Sequence, residues 1–186
     1  EGRLPEISTI MNTIREMLEI KKPLKNKNII ITAGPTVEPV DPVRFISNHS
    51  SGKMGYALAD AACNRGANVT LISGPVHIKN HPEAKLININ TANDMLNAFD
   101  KIELKKIDYI FMCAAVADYT PAIVKNKKIK RENENLNIEC KAAPDIIKMI
   151  SKQTKATIIA FALETEQGEK NAKNKLKNKN VDFIVL

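Results

Sequence analysis

The sequence contains no tryptophan, and aromatic residues make up only 4% of it. Proteins that grip single-stranded nucleic acid use aromatic side chains as stacking platforms, so that function class is disfavoured. Cysteine is scarce too: Cys63, Cys113 and Cys140 are scattered and odd in number. No two have zinc-finger or redox spacing, which argues against a disulfide framework and for a reducing compartment. No apolar run is long enough to span a bilayer, and the first residues lack the layout of a signal peptide. We therefore expect a cytoplasmic protein with neither membrane nor nucleic acid as a partner. There is no internal repeat and no low-complexity tract.

What is present is ordinary for a globular chain. The 186 residues are 44% apolar and 26% charged, enough for one domain with a real core. The net charge is +7, from 28 Lys+Arg against 21 Asp+Glu. Lysines crowd residues 21–27, 125–130 and 170–179. A basic surface attracts anions such as nucleotides, or simply solvates helix faces.

Residues 1–26 read as a linker carrying a short helix. After Pro5, the apolar positions Ile10, Ile14, Met17 and Leu18 follow a helical period over 6–20, and Pro23 ends it. Residues 27–186 read as the domain. Strands are expected at 28–33, 68–73, 85–89, 109–114, 157–162 and 181–186, apolar on both faces as buried parallel strands are. The alternating segment 135–140 reads as an exposed edge strand. Helices are expected at 53–65, closed by Gly66, at 92–104, opened by Thr91, from Pro144 through 150, and at 166–177. A loop rich in proline and acids precedes the first of these. Alternation of strands and helices implies an α/β fold: a Rossmann-like, mostly parallel sheet with helices on both faces. The chain stops inside an apolar β run, so a further C-terminal part is expected to complete the fold.

One stretch concentrates polar chemistry: Asp41-Pro42-Val43-Arg44-Phe45-Ile46-Ser47-Asn48-His49-Ser50-Ser51-Gly52-Lys53-Met54-Gly55. It leads directly into a helix, whose first N–H groups and positive dipole end make an anion site. In such a fold, ligands sit beyond the carboxyl ends of the strands. Those ends are Ala33-Gly34-Pro35-Thr36, Ser73-Gly74-Pro75, Ala114-Ala115-Val116-Ala117-Asp118 and Phe161-Ala162-Leu163-Glu164-Thr165, and they are expected to meet on one rim. Gly and Ala there let a flat or charged ligand approach the backbone.

Individual residues leave two readings each. Asn48 grips a carboxylate or acyl oxygen, or closes an Asx-turn. Arg44 pairs with a ligand carboxylate or phosphate, or with a surface acid. Asp118 holds Mg²⁺ or a ribose hydroxyl, or caps a turn. Lys128 and Lys130 form a lid that brings charge to a triphosphate, or a solvated loop. Gly52 and Gly55 shape a phosphate-accepting turn, or a tight loop-to-helix junction. His49 is the best imidazole candidate for proton transfer. Gly34 lacks the rest of G-x-G-x-x-G, and Ser51-Gly52-Lys53 lacks the Walker pattern.

Taken together, Ile31-Thr32-Ala33-Gly34-Pro35-Thr36, the stretch from Asp41 to Gly55, and Ala114-Ala115-Val116-Ala117-Asp118-Tyr119 closely resemble the phosphopantothenoylcysteine synthetase (phosphopantothenate–cysteine ligase) family. Lys128-Ile129-Lys130, Pro144-Asp145-Ile146 and Phe161-Ala162-Leu163-Glu164-Thr165 extend the likeness in the same order. The resemblance implies a ligase of coenzyme A biosynthesis. CTP would be its co-substrate, Mg²⁺ its metal, 4′-phosphopantothenate and L-cysteine its substrates, and a homodimer or higher oligomer its state. It also implies a flavin-dependent phosphopantothenoylcysteine decarboxylase half upstream, with Gly2-Arg3-Leu4-Pro5-Glu6 as the joining linker.

The resemblance also implies roles. Asn48 and Lys128 would be catalytic. Arg44, Asn48, His49, Ser50, Ser51, Gly52 and Lys53 would bind substrate. Gly34, Ala114, Ala115, Asp118, Lys128, Pro144, Asp145, Ile146 and Phe161 would bind the nucleotide, with Asp118 also meeting the metal. An oxidoreductase on the same fold is opposed by the Ser73-Gly74-Pro75 ending of the second strand, where an acidic residue would be needed.

Overall fold

A computed structural model of the chain describes residues 4–18, 22–131, 135–162 and 168–186. Strands β1 (Asn28–Ala33), β4 (Asn68–Ser73), β5 (Lys85–Asn88), β6 (Tyr109–Met112), β9 (Thr157–Phe161) and β10 (Phe183–Val185) form one sheet. Its order is β10-β9-β6-β1-β4-β5, and every neighbouring pair is parallel. The chain leaves β1 toward one edge, then returns to β6 and fills the other side. The order therefore reverses between β1 and β6, the switch point of a Rossmann-type sheet.

The two-residue period of a strand explains why the central run β1 is apolar on both faces. The edge strands β5 and β10, expected to be buried on both faces, are instead mostly exposed, because each has a neighbour on one side only. On β1, Ile29, Ile31 and Ala33 face the cluster that includes Tyr56, Ala59 and Cys63 of α2 (Lys53–Asn64). Ile30 faces the opposite cluster, with Met95 and Phe99 of α3 (Ala92–Asp100) and Ile146 and Ile150 of α4 (Ile146–Ile150). Helices thus cover both faces, as the sequence predicts. Full burial of side chains such as Ile30, Leu71 and Phe99 contributes roughly 1.5–3 kcal/mol each.

Local signals set the helix ends. α2 closes on Gly66 at φ 89°, with Gly66 N–H to the Cys63 carbonyl at 2.8 Å and Ala67 N–H to the Ala62 carbonyl at 3.0 Å. α3 opens with a capping box between Thr91 and Asp94. It ends at Asp100, short of the expected 104; a 3₁₀ turn, Leu104–Lys106, follows. α1 spans Ile7–Met17 and buries none of its residues, while the predicted end at Ile20 lies outside the described residues. α5 spans Gly168–Lys179, and the predicted start at Glu166 also lies outside them.

Two expectations are corrected. The stretch read as a loop before α2 contains strands β2 (Val37–Pro39) and β3 (Phe45–Ser47), paired antiparallel. Both are too short for a periodic pattern to show. The alternating segment 135–139 is not a strand; only Cys140–Ala142 (β8) pairs, antiparallel to β7 (Tyr119–Pro121). Its alternation arises without burial, since residues 135–142 are all exposed.

Candidate active site

Because the main strands run parallel, the carboxyl ends of β1, β4, β6 and β9 share one rim, as expected. Backbone contacts knit it. The Ala115 N–H donates to the Gly34 carbonyl at 2.9 Å, and the Thr36 N–H to the Ala115 carbonyl at 3.2 Å. Two buried threonines extend the seam: Thr32 Oγ1 accepts the Ala114 N–H at 3.0 Å, and Thr36 Oγ1 accepts the Ala117 N–H at 2.9 Å. Gly74 is packed so closely that an added Cβ would lie 1.7 Å from the Pro35 carbonyl oxygen.

The β2–β3 arm lies against this seam. Ser47 Oγ donates to the Thr36 carbonyl at 2.7 Å. Asn48 Nδ2 donates to the carbonyls of Ala115 at 3.3 Å and Val116 at 3.2 Å. Its amide therefore bridges to the β6 end across the switch point. Ser50 and Ser51 accept the N–H groups of Gly52 and Lys53 at 3.4 and 3.5 Å. α2 begins on Gly52 at φ 75°, so no side chain caps it. Gly55, one turn in, packs against the β1 end, where a Cβ would lie 2.8 Å from the Thr32 carbonyl oxygen. His49 and Lys53 are exposed at this helix mouth.

A cavity of about 300 Å³ opens between the ends of β6 and β9 and the start of α4. Its walls include Ala114, Asp118, Pro144, Asp145, Ile146 and Phe161. Those are six residues for which the family resemblance implies contact with a nucleotide. Asp145 caps α4 by accepting the Lys148 N–H at 3.2 Å. Lys179, at the end of α5, reaches into the same cavity and lies 3.4 Å from Asp145 Oδ1. Gly34, Ala115 and Lys128 are not walls of this cavity. Gly34 and Ala115 lie in the backbone seam beside it. Lys128 is exposed on a strap, residues 125–131, tied to the β2–β3 arm by the Lys125 N–H to the Val40 carbonyl at 2.9 Å.

Arg44 forms an ion pair with Asp41, whose side chain is fully buried. Burial opposes the charge on Asp41, but hydrogen bonds from the Ile129, Val43 and Arg44 amides and from the Arg44 guanidinium prevail. They hold its carboxyl well below the usual carboxylate range. Burial pushes the thiols of Cys63 and Cys113 up to about 11 and about 12. Neither is a thiolate nucleophile at neutral pH.

Sequence reasoning passed over two of these residues. Asp41 carries a signal, an acid before proline and three residues ahead of Arg44. Lys179 carries none, being one lysine among many.

Residues 24–186 match the model of the DNA/pantothenate metabolism flavoprotein C-terminal domain. The chain belongs to that family. It is 42% identical over 187 residues to the coenzyme A biosynthesis bifunctional protein CoaBC of Haemophilus influenzae, covering 99% of this chain and 46% of that protein. It is also 42% identical over 193 residues to a cysteine/cysteine sulfinic acid decarboxylase from an unknown prokaryotic organism, covering 100% of this chain and 54% of that one. The chain thus spans about half the length of the curated relatives it matches. Among solved structures, the crystal structure of the C-terminal domain of CoaBC superposes with a TM-score of 0.79 at 40% identity. That match covers 89% of this chain and 79% of the other.

Among the described residues, no three His, Cys, Asp or Glu side chains cluster as a metal cage. The exposed carboxylate of Asp118 at the cavity wall suits a cation that takes most of its ligands from phosphate oxygens and water, as Mg²⁺ does.

Proposed function

We propose that the chain is a phosphopantothenate–cysteine ligase of coenzyme A biosynthesis. The observation that carries this reading is the meeting of two groups of residues at one switch point. The cavity between the ends of β6 and β9 is walled by Ala114, Asp118, Pro144, Asp145, Ile146 and Phe161. The Asn48 arm is hydrogen-bonded to the same β6 end.

In this reading, CTP lies in the cavity with its phosphates toward Asp118, where Mg²⁺ would neutralise phosphate charge. The carboxylate of 4′-phosphopantothenate attacks the α-phosphorus of CTP and expels pyrophosphate, leaving an acyl-cytidylate. The amine of L-cysteine then attacks the acyl carbon, loses a proton and expels CMP, giving 4′-phospho-N-pantothenoylcysteine. The chain's own contribution is placement and charge stabilisation. Asn48 would give up one of its two long carbonyl contacts to hold the acyl oxygen. Lys128 meets the phosphates, and residues 49–53 with Arg44 hold the substrate side. Such chemistry needs no enzyme nucleophile, in accord with the raised thiols of Cys63 and Cys113.

A cytoplasmic location, a homodimer or higher oligomer, and an upstream flavin-dependent decarboxylase half complete the proposal. The twofold greater length of the relatives accords with the last of these. No helix among the described residues is long and apolar enough to cross a membrane.

The test is product formation. Incubation with CTP, Mg²⁺, 4′-phosphopantothenate and cysteine should release CMP and pyrophosphate with the amide product. CTP with Mg²⁺ should also raise the melting temperature more than NAD(P) or RNA at fixed salt. Stabilisation by NAD(P) or RNA alone, with no amide formed, would overturn the reading.

A further inference from the structure

The Asp41 carboxylate joins two segments that chain order separates widely. Oδ1 accepts the N–H groups of Val43 and Arg44, both at 2.8 Å, and so closes the turn between β2 and β3. Oδ2 accepts the Ile129 N–H at 3.1 Å and the Arg44 guanidinium. The same guanidinium nitrogen donates to the Ile129 carbonyl at 3.2 Å. One ion pair therefore holds both the N–H and the C=O of the residue that follows Lys128. The arm it belongs to ends on Asn48.

We infer that Asp41 is a positioning residue for Lys128, fixing the lysine strap relative to the arm that carries Asn48. The inference rests on the ligase reading above. Asp41 itself is fully buried and touches no ligand space. Its oxygens are already committed: one to the turn, the other to the strap. An ionised carboxylate is acceptor-only, and this site supplies donors alone. An asparagine of the same size would turn an NH₂ group toward either the turn or the strap. Donor would then face donor, and one of the two tethers would be lost. With the NH₂ toward the strap, Lys128 would keep its charge but lose its place; with it toward the turn, the arm that anchors the strap would loosen instead.

The test is a double-mutant cycle on the full chain, read as kcat/KM for CTP. Asp41→Asn and Lys128→Gln should each lower it by about tenfold or more, as expected for losing a charge-assisted contact. Adding Asp41→Asn to Lys128→Gln should then change it by less than about twofold, because both remove the same contribution. KM for cysteine should stay unchanged in Asp41→Asn. Ile129→Pro removes the strap's N–H without touching the core, so it should reproduce the Asp41→Asn loss even if the latter folds poorly. Multiplying effects in the cycle, or wild-type kinetics in Ile129→Pro, would overturn the role of Asp41 while leaving the ligase reading intact. A wild-type chain that forms no amide from CTP would instead remove the ligase reading.

Discussion

Asn48 donates its side-chain amide to the Val116 carbonyl at 3.2 Å, which fixes the end of β3 to the end of β6. The contact crosses the point where the sheet order reverses, so the residue bridges the two halves of the site. An Asx-turn would have kept the amide local.

Asn48→Asp puts a carboxylate beside two carbonyl oxygens and removes the donor. Amide formation should slow by about a hundredfold or more, the scale for loss of one donor to a developing oxyanion. Activation should persist. Pyrophosphate release without cysteine, together with a trapped acyl-cytidylate, would be the expected record; unchanged turnover would contradict it.

Lys179 lies 3.4 Å from Asp145 at the cavity wall, with 29% of its side chain exposed. Anionic phosphates entering the cavity would compete with Asp145 for it. Lys179→Met should weaken CTP binding by about 1.5–3 kcal/mol, read by calorimetry, with little change in KM for cysteine. Asp145→Ala should act differently. It removes the cap of α4 and should lower stability by about 1 kcal/mol in urea titration.

Gly74→Ala places a methyl group 1.7 Å from the Pro35 carbonyl oxygen, which is backbone and cannot rotate away. The β1 and β4 ends would have to part. A loss of about 1–3 kcal/mol or more in unfolding free energy should follow, together with weaker nucleotide stabilisation.

Asp94 titrates below the usual range, chiefly because the Thr91 N–H donates to its carboxylate, with burial opposing. A folded pKa below the unfolded one means the stabilisation is complete above about pH 4 and fades as pH falls through the folded value. Asp94→Asn should therefore lower the urea midpoint most at neutral pH. The gap to wild type should narrow steadily in acid; a gap constant with pH would show that the capping charge contributes nothing.

The main strands were legible because burial on both faces forces continuous apolar runs such as 28–33 and 157–161. Helix ends at Gly66 and Thr91 were legible because special φ values and capping hydroxyls are local needs. The family resemblance implied Ala114, Asp118, Pro144, Asp145, Ile146 and Phe161, and the structure gathers those six around one cavity. Three-residue strands such as β2 and β3 left no periodic trace, since their pairing is decided by partners rather than by pattern. Tertiary structure alone decided that Gly34 and Ala115 lie in the backbone seam and that Arg44 is paired with Asp41. The stretch from Asp41 to Gly55 was legible as polar chemistry at a helix mouth. Its division into a buried anchor, an arm and an open mouth was not. A side chain's charge is written in the sequence, but its partner is chosen only when distant segments are brought within hydrogen-bonding distance.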